Sequence, residues 1–395
     1  MIKRTLGSIL IKQLLRFPIV SVTGPRQSGK TTLVKELFPL ATYINLEEPD
    51  IRLFAINDPR GFLDTYTENG LKMLIIDEAQ HIPELFSYIQ VRVDSRKKTG
   101  QFILTGSQNF LLNEKISQSL AGRIYQSKLL PFDTEELYKA QYKFPDINDQ
   151  LYKGFYPNLY ESKIQPQDWY PSYIETYLER DVRSIKHITN LNTFQRFIRL
   201  CAARTGQIIN LSSLGIDLGV SHNTVQSWLS ILKESYIIFF LEPYFNNFNK
   251  RIIKAPKLHF FDTGLACQLL GIKSSKELAS HYLRGSLFES FVISNIVKSH
   301  YHRGIIPDLY FWRDKTGHEI DCLVKSNNTY IPIEIKAGKT IHDDDFKNIH
   351  YWNNLSGNKA EHSYIVYGGD EEQKRSQGNV ISWKFRSKFS DFPIL

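Results

Sequence analysis

Gly24-Pro25-Arg26-Gln27-Ser28-Gly29-Lys30-Thr31 sets a lysine and a threonine directly behind the second of two glycines. These residue types at this spacing do phosphate chemistry. The glycines let the backbone turn so that its N–H groups face phosphate oxygens. Lys30 reaches the β- and γ-phosphates as a point charge, and Thr31 offers a hydroxyl to Mg²⁺. Pro25, Arg26, Gln27, Ser28 and Thr32 complete the cradle, where a helix N-terminus presents unpaired N–H groups to the anion. A second pair supplies the rest of the reaction. Asp77 and Glu78 close the apolar run Met73-Leu74-Ile75-Ile76. Asp77 is placed to hold the Mg²⁺ shell and Glu78 to orient and deprotonate an attacking water. The bland alternative, a surface acidic pair at a strand end, is weakened by the turn upstream. ATP and Mg²⁺ are the expected cofactors.

Strands and helices must alternate to position these groups. Pro18 to Thr23 reads as a buried strand, and Leu33/Leu37 with Val34/Phe38 give the helix after the turn. Ala41 to Leu46 is a second strand and Met73 to Asp77 a third. Pro83 to Val93 reads as a helix, and Gln101 to Thr105 as a fourth strand ending in Gly106-Ser107-Gln108-Asn109. If the first, third and fourth strands are neighbours, Ser107 lies beside the γ-phosphate as its sensor; a helix-capping role is compatible with that. Arg123 has two open readings. It reaches phosphate, within the subunit or across to a neighbour in a homo-oligomer, or it makes a structural ion pair. Leu6, Ile9, Leu10 and Leu14 mark an amphipathic first helix, and Lys12 interrupts any signal-like apolar core.

Residues 16–137 resemble the AAA+ ATPases of bacteria and archaea through Gly24 to Thr32, Asp77-Glu78-Ala79-Gln80, Gly106-Ser107 and Ala121-Gly122-Arg123. Within that superfamily the chain is similar to a prokaryotic group whose ATPase precedes a C-terminal domain of unknown function; Tyr177 to Val182 also suits that group. The resemblance implies Mg-ATP binding and hydrolysis and names no substrate.

The 395-residue length suggests two or three domains. A net charge of +8 is compatible with nucleic acid as a partner without requiring it. Cys201, Cys267 and Cys322 are far apart and lack metal-ligand spacing, which points to a reducing, cytoplasmic setting without a disulfide framework. No run approaches the roughly 18 apolar residues of a membrane span, so no membrane partner is expected.

Residues 138–187, broken by Pro145, Pro157, Pro166 and Pro171, read as a helical connector with one well-formed helix, Ser172 to Ile185, whose Arg180 and Arg183 either face the nucleotide or are simply solvated. Residues 188–270 then take a helical period. Leu211 to Leu218, the turn Gly219-Val220-Ser221 and His222 to Lys233 form a helix-turn-helix signature. Tyr236 to Leu241 and Ile252 to Phe261 would supply a wing. His222, Asn223 and Gln226 lie on the outer face of the third helix, where base contacts originate in a DNA reader. Packing between domains is the competing use of such a module.

The last segment, 271–395, carries a second constellation. Glu289 rides on an otherwise apolar helix, Gly285 to Lys298, and a buried carboxylate needs a partner or a metal. Ser326-Asn327-Asn328-Thr329 closes a hairpin, because Asn tolerates the positive φ of a two-residue turn. Counting back sets Asp321 opposite Glu334 and Glu319 opposite Lys336, all on one face, with Ile320, Cys322, Val324, Ile333 and Ile335 on the other. Opposed Cβ atoms are roughly 4.5–5.5 Å apart, so the two acids repel unless protonated or bridged by a cation. Glu289, Asp321 and Glu334-Ile335-Lys336, in the order helix, strands, helix (Asp344 to Leu355), strand (Ser363 to Val366), resemble the restriction-endonuclease-like family. That resemblance implies Glu289, Asp321 and Glu334 as ligands of a second Mg²⁺ or Mn²⁺, with Lys336 catalytic. A charged sheet face with a Glu319–Lys336 ion pair, or an inherited fold without cleavage, are the alternatives.

The expected architecture is α/β throughout. An AAA+ P-loop ATPase domain (1–137) is followed by the connector, a winged-helix module and a restriction-endonuclease-like α/β domain. Three roles compete: an ATP-regulated enzyme acting on DNA, a nucleotide-dependent assembly switch for a protein partner with a non-cutting C-terminal domain, and a passive DNA-binding module. Glu78 argues against the last.

Overall fold

The computed structural model describes residues 2–107, 119–162, 164–178, 191–245 and 255–385. Gln108, Asn109, Arg180 and Arg183 lie outside the described residues. The chain divides into two compact units. One comprises Met1–Phe132, Glu234–Tyr236 and His300–Ile306; the other comprises Asp133–Lys233, Ile237–Ser299 and Pro307–Leu395.

The first unit is built on five parallel strands, β1 (Ile19–Thr23), β2 (Thr42–Asn45), β3 (Leu74–Asp77), β4 (Phe102–Gly106) and β5 (Ile124–Lys128). Their order is β2-β3-β4-β1-β5. Every residue of β1, β3 and β4 is buried, which is why these segments are mostly apolar on both faces rather than alternating apolar with polar. Alternation still sorts their side chains. Ile19, Ile76 and Leu104 pack with Ala55 of α3 (Pro49–Asn57), with Phe62 and Leu63 of α4 (Pro59–Tyr66) and with Phe86 and Ile89 of α5 (Leu85–Arg96). Val20, Val22, Ile75 and Ile103 pack on the opposite face with Leu6, Leu10 and Leu14 of α1 (Leu6–Leu14) and Leu33 of α2 (Lys30–Leu37). Fully burying each such side chain contributes about 1.5–3 kcal/mol. β4 lies between β3 and β1, so the C-terminal ends of all three open onto one edge, where α/β sheets bind ligands.

In the second unit, helices α6 (Leu191–Ala203), α7 (Leu211–Leu218) and α8 (His222–Glu234) are followed by β7 (Ile238–Pro243) and β8 (Lys257–Phe260). β8 pairs antiparallel with β7 and with the short β6 (Gln207–Ile208). Gly219 ends α7 at φ 69°, a left-handed conformation that suits glycine. The Ser221 hydroxyl then caps α8 by accepting the Thr224 N–H at 3.1 Å. Val225, Trp228, Leu229 and Leu232 are buried, with Trp228 edge-on to Phe194.

Beyond α9 (Arg284–His302), β9 (Leu309–Arg313), β10 (Glu319–Ser326) and β11 (Thr329–Lys336) form an antiparallel set. Ser326 faces Thr329 and Cys322 faces Ile333, the register expected from the turn, with Asn327 at φ 52°. One expectation fails. A register shift against β9 falls between Ile320 and Leu323, so these two share one core cluster. Strict alternation had set Ile320, Cys322 and Val324 on a common face; a bulge changes that parity. α10 (Lys347–Ser356) then leads to β12 (Tyr364–Tyr367), parallel to β11. Among the described residues no helix is long and apolar enough to cross a membrane.

Candidate nucleotide site and the C-terminal acidic face

The chain turns sharply between β1 and α2. Gln27 and Gly29 both take left-handed backbone angles, φ 60° and 92°, and a Cβ on Gly24 would collide with the Leu129 carbonyl. Lys30 is buried, and its ammonium donates to the carbonyls of Gly24 at 3.0 Å and Pro25 at 2.9 Å. A phosphate in the turn would compete with those carbonyls for the ammonium. The Ser28 hydroxyl is buried without a partner in the same turn. The glycine cradle and this orphaned hydroxyl fit a bound phosphate. Arg26 extends the rim and reaches Glu47 at 3.5 Å.

Asp77, at the end of β3, gathers hydroxyl donors. Thr31 donates to its Oδ2 at 2.6 Å and Tyr43 at 2.7 Å, while Thr105 donates to Oδ1. A hydroxyl has one proton and two lone pairs. Having given its proton to Asp77, Thr31 keeps its lone pairs for a cation. Burial, reinforced by the hydrogen bond to Asp77, pushes the Tyr43 phenol well up, so it stays a donor. Glu78 adopts φ 53°, ψ 44°, a left-handed step that turns its carboxylate out of the strand direction. Gln80 and Ser107 both donate to its Oε2, Ser107 at 3.1 Å. The residue following β4 is thus joined to the residue following β3. Lys30, Thr31, Asp77, Glu78 and Ser107 all stand at the same sheet edge.

Arg123 does not join them. It precedes β5, and the Ile19 amide that starts β1 donates to its carbonyl, so it stands at the N-terminal edge of the sheet. A five-residue strand separates it from the turn, roughly 13 Å of chain at 3.3 Å per residue. Its guanidinium grips Asp94 of α5 with two bonds, at 2.6 and 2.8 Å, and donates to the Ala121 carbonyl. Within the subunit the ion-pair reading therefore replaces the phosphate contact.

Several neighbours carried no sequence signal. Arg4 is buried and donates to the carbonyls of Ser28 at 2.7 Å and Leu130 at 2.6 Å, with the Phe132 ring 4.7 Å away. The Leu130 amide and an Arg4 N–H both point at His302 Nε2, which must accept, so the ring proton sits on Nδ1. Tyr236 donates to the Thr23 hydroxyl at 2.7 Å, because Thr23 spends its own proton on the Ser127 carbonyl. Arg4 and Tyr236 look like an ordinary basic start and a strand residue; only the tertiary fold brings them to the turn.

The C-terminal acids form a separate face in the second unit. Glu334 is buried and takes the Lys336 ammonium at 2.6 Å, while its Oε1 is buried without a partner. Asp321 Oδ2 accepts the Ile335 amide at 2.8 Å. Glu319 is engaged by a lysine from β8 rather than by Lys336, whose ammonium is held by Glu334. Lys257 lies 2.5 Å from Glu319 and 2.8 Å from Glu289, and Arg313 approaches Glu319 from the side at 3.3 Å. Burial raises the Glu289 carboxyl against the pull of Lys257, and raises Glu334 with help from Asp321. Burial alone would lower Lys257, but Glu289, Asp321 and Glu319 together push it up. Among the described residues, Glu289, Asp321 and Glu334 do not bring three ligand atoms within 4.8 Å of one another.

A family model described as an AAA domain matches residues 16–138, the segment that holds the turn and both acids of the first unit. "Uncharacterized protein Rv2008c" of Mycobacterium tuberculosis is 31% identical over 346 residues, covering 86% of this chain and 74% of its own length; "Uncharacterized protein Mb2031c" of Mycobacterium bovis matches to the same extent. The chain belongs to their family, as a P-loop AAA-type ATPase. Two further models, each described as a domain of unknown function, match this AAA-type ATPase at residues 144–276 (DUF8612) and 284–385 (DUF4143). Among solved structures, the Walker-type ATPase PABY2304 of Pyrococcus abyssi is 17% identical with a TM-score of 0.47, covering 68% of this chain and 96% of that one. A likeness that slight adds no weight to the assignment.

Proposed function

We propose that this chain hydrolyses Mg-ATP at the turn between β1 and α2 and uses that cycle to act on DNA. Lys30 holds the β- and γ-phosphates, Thr31 and Asp77 order Mg²⁺, and Glu78 activates water. Ser107 senses the γ-phosphate. The observation that carries this reading is the pair of contacts at one sheet edge, Thr31 to Asp77 and Ser107 to Glu78. They connect the two metal ligands, Thr31 and Asp77, to each other and the γ-phosphate sensor to the base.

The DNA side rests on the second unit. Three helices and the strands β6, β7 and β8 follow the element order of a winged helix. His222, Asn223 and Gln226 are exposed on α8, where a reader's base contacts begin. Helix, hairpin, helix and strand around Glu289, Asp321 and Glu334-Ile335-Lys336 support a restriction-endonuclease-like C-terminal domain. The test is ATP turnover with Mg²⁺, with and without duplex DNA, beside Lys30→Ala. DNA-stimulated turnover that Lys30→Ala abolishes supports the reading. Turnover indifferent to DNA, accompanied by ATP-dependent oligomers, favours the assembly switch. Lys257 among the acids is the specific observation on that second side, since it occupies a face a nuclease would give to metal.

A further inference from the structure

The acidic face already holds a cation, and that cation is part of the chain. Lys257 comes from β8, inside the segment matched by one family, whereas Glu289 and Glu319 belong to the segment matched by another. Its side chain is 4% exposed, against 16% for Glu289 and 22% for Glu319. Burying an ammonium is unfavourable unless its protons are paired. Here two carboxylates take it, and the Phe311 ring lies 5.4 Å away. A lysine this well paired is not a surface residue that happens to lie near acids.

An independent observation points the same way. Glu334 Oε1 is buried and accepts nothing, although Oε2 of the same carboxylate is held by Lys336. A buried carboxylate oxygen without a donor is costly and marks a place where a cation would be welcome. Mg²⁺ and Mn²⁺ need one or two carboxylates plus water, with the ligand oxygens turned toward one point. In this arrangement Glu289 and Glu319 are turned toward Lys257 instead.

We propose that the Lys257 ammonium is the resident cation of this face, and that a divalent cation binds there only when Lys257 withdraws. The face is then closed to metal in the form described. Any event that shifts β8 relative to β10 and α9 would open it. The inference rests on reading the face as a nuclease-like cation site.

The experiment reads metal without nucleotide, nucleic acid or cleavage. Mn²⁺ is titrated into the full-length chain and free ion is followed by electron paramagnetic resonance. The signal counted is binding lost in an Asp321→Asn companion, which removes any contribution from the turn after β1. Wild type should show none. Lys257→Met, which keeps the aliphatic stem, should gain an Asp321-dependent site, and Mn²⁺ should raise its thermal midpoint by about 4 °C or more while leaving wild type unchanged. Asp321-dependent binding that is equally tight in wild type and Lys257→Met overturns the role of the lysine and leaves the cation site standing. A folded Lys257→Met that gains no site shows that the face is not a cation site at all, and both readings fall. Should Lys257→Met fold only with Mn²⁺ present, the metal is replacing the ammonium as expected. A variant that stays unfolded with Mn²⁺ contradicts the proposal.

Discussion

Thr31 donates its hydroxyl proton to Asp77 at 2.6 Å, tying the first turn of the helix after the phosphate turn to the end of the third strand. One bond therefore fixes two groups that a bound Mg²⁺ would share. Asp77→Asn should keep the fold and abolish the Mg²⁺ dependence of ATP binding, with turnover falling by roughly 10²–10³. Nucleotide titrations with and without Mg²⁺ read this directly; equal Mg²⁺ dependence in variant and wild type would remove Asp77 from the metal shell.

Arg4 holds the turn from outside the motif, through the Ser28 and Leu130 carbonyls. Arg4→Met should cost about 3 kcal/mol in denaturant unfolding, because two bonds from a buried charged donor are lost. It should also raise the KM for ATP more than it lowers kcat. A variant with wild-type stability would mean that the buried contacts carry no net energy.

Much of this site was legible in sequence, and what was not has a physical reason. The turn, the Asp77-Glu78 pair and Ser107 sit next to apolar runs whose length and order specify a parallel sheet. The Ser326–Thr329 hairpin was legible because a two-residue turn fixes its own register. The bulge near Asp321 inserts a parity change that composition does not announce. Lys257, Arg4 and Tyr236 act across chain separations that no local period connects. Arg123 follows a pattern whose chemistry depends on which end of the sheet it occupies, and the strand order decides that.

Arg123→Ala should turn over ATP at the wild-type rate, since its guanidinium is engaged by Asp94 at the opposite sheet edge. The pair is surface-exposed and contributes little to stability. Steady-state ATPase at several protein concentrations checks this. A large loss of rate, growing with concentration, would require a neighbouring subunit to receive the arginine.

Asn223→Ala and Gln226→Ala change only the exposed face of α8 and leave Trp228 and Leu232 packed. If that face reads DNA, each substitution should weaken duplex binding by roughly 1–3 kcal/mol at fixed salt. Fluorescence anisotropy on labelled duplex measures it. Unchanged affinity in the double variant would assign the module to packing.

The proposed hydrolysis depends on Glu78 as its general base. The most direct measurement compares ATP affinity and single-turnover hydrolysis in wild type and Glu78→Gln. Glu78→Gln should bind Mg-ATP as tightly as wild type and hydrolyse it roughly 10²–10⁴-fold more slowly. Equal hydrolysis in the two proteins, or no hydrolysis by wild type with ATP bound, would contradict the account.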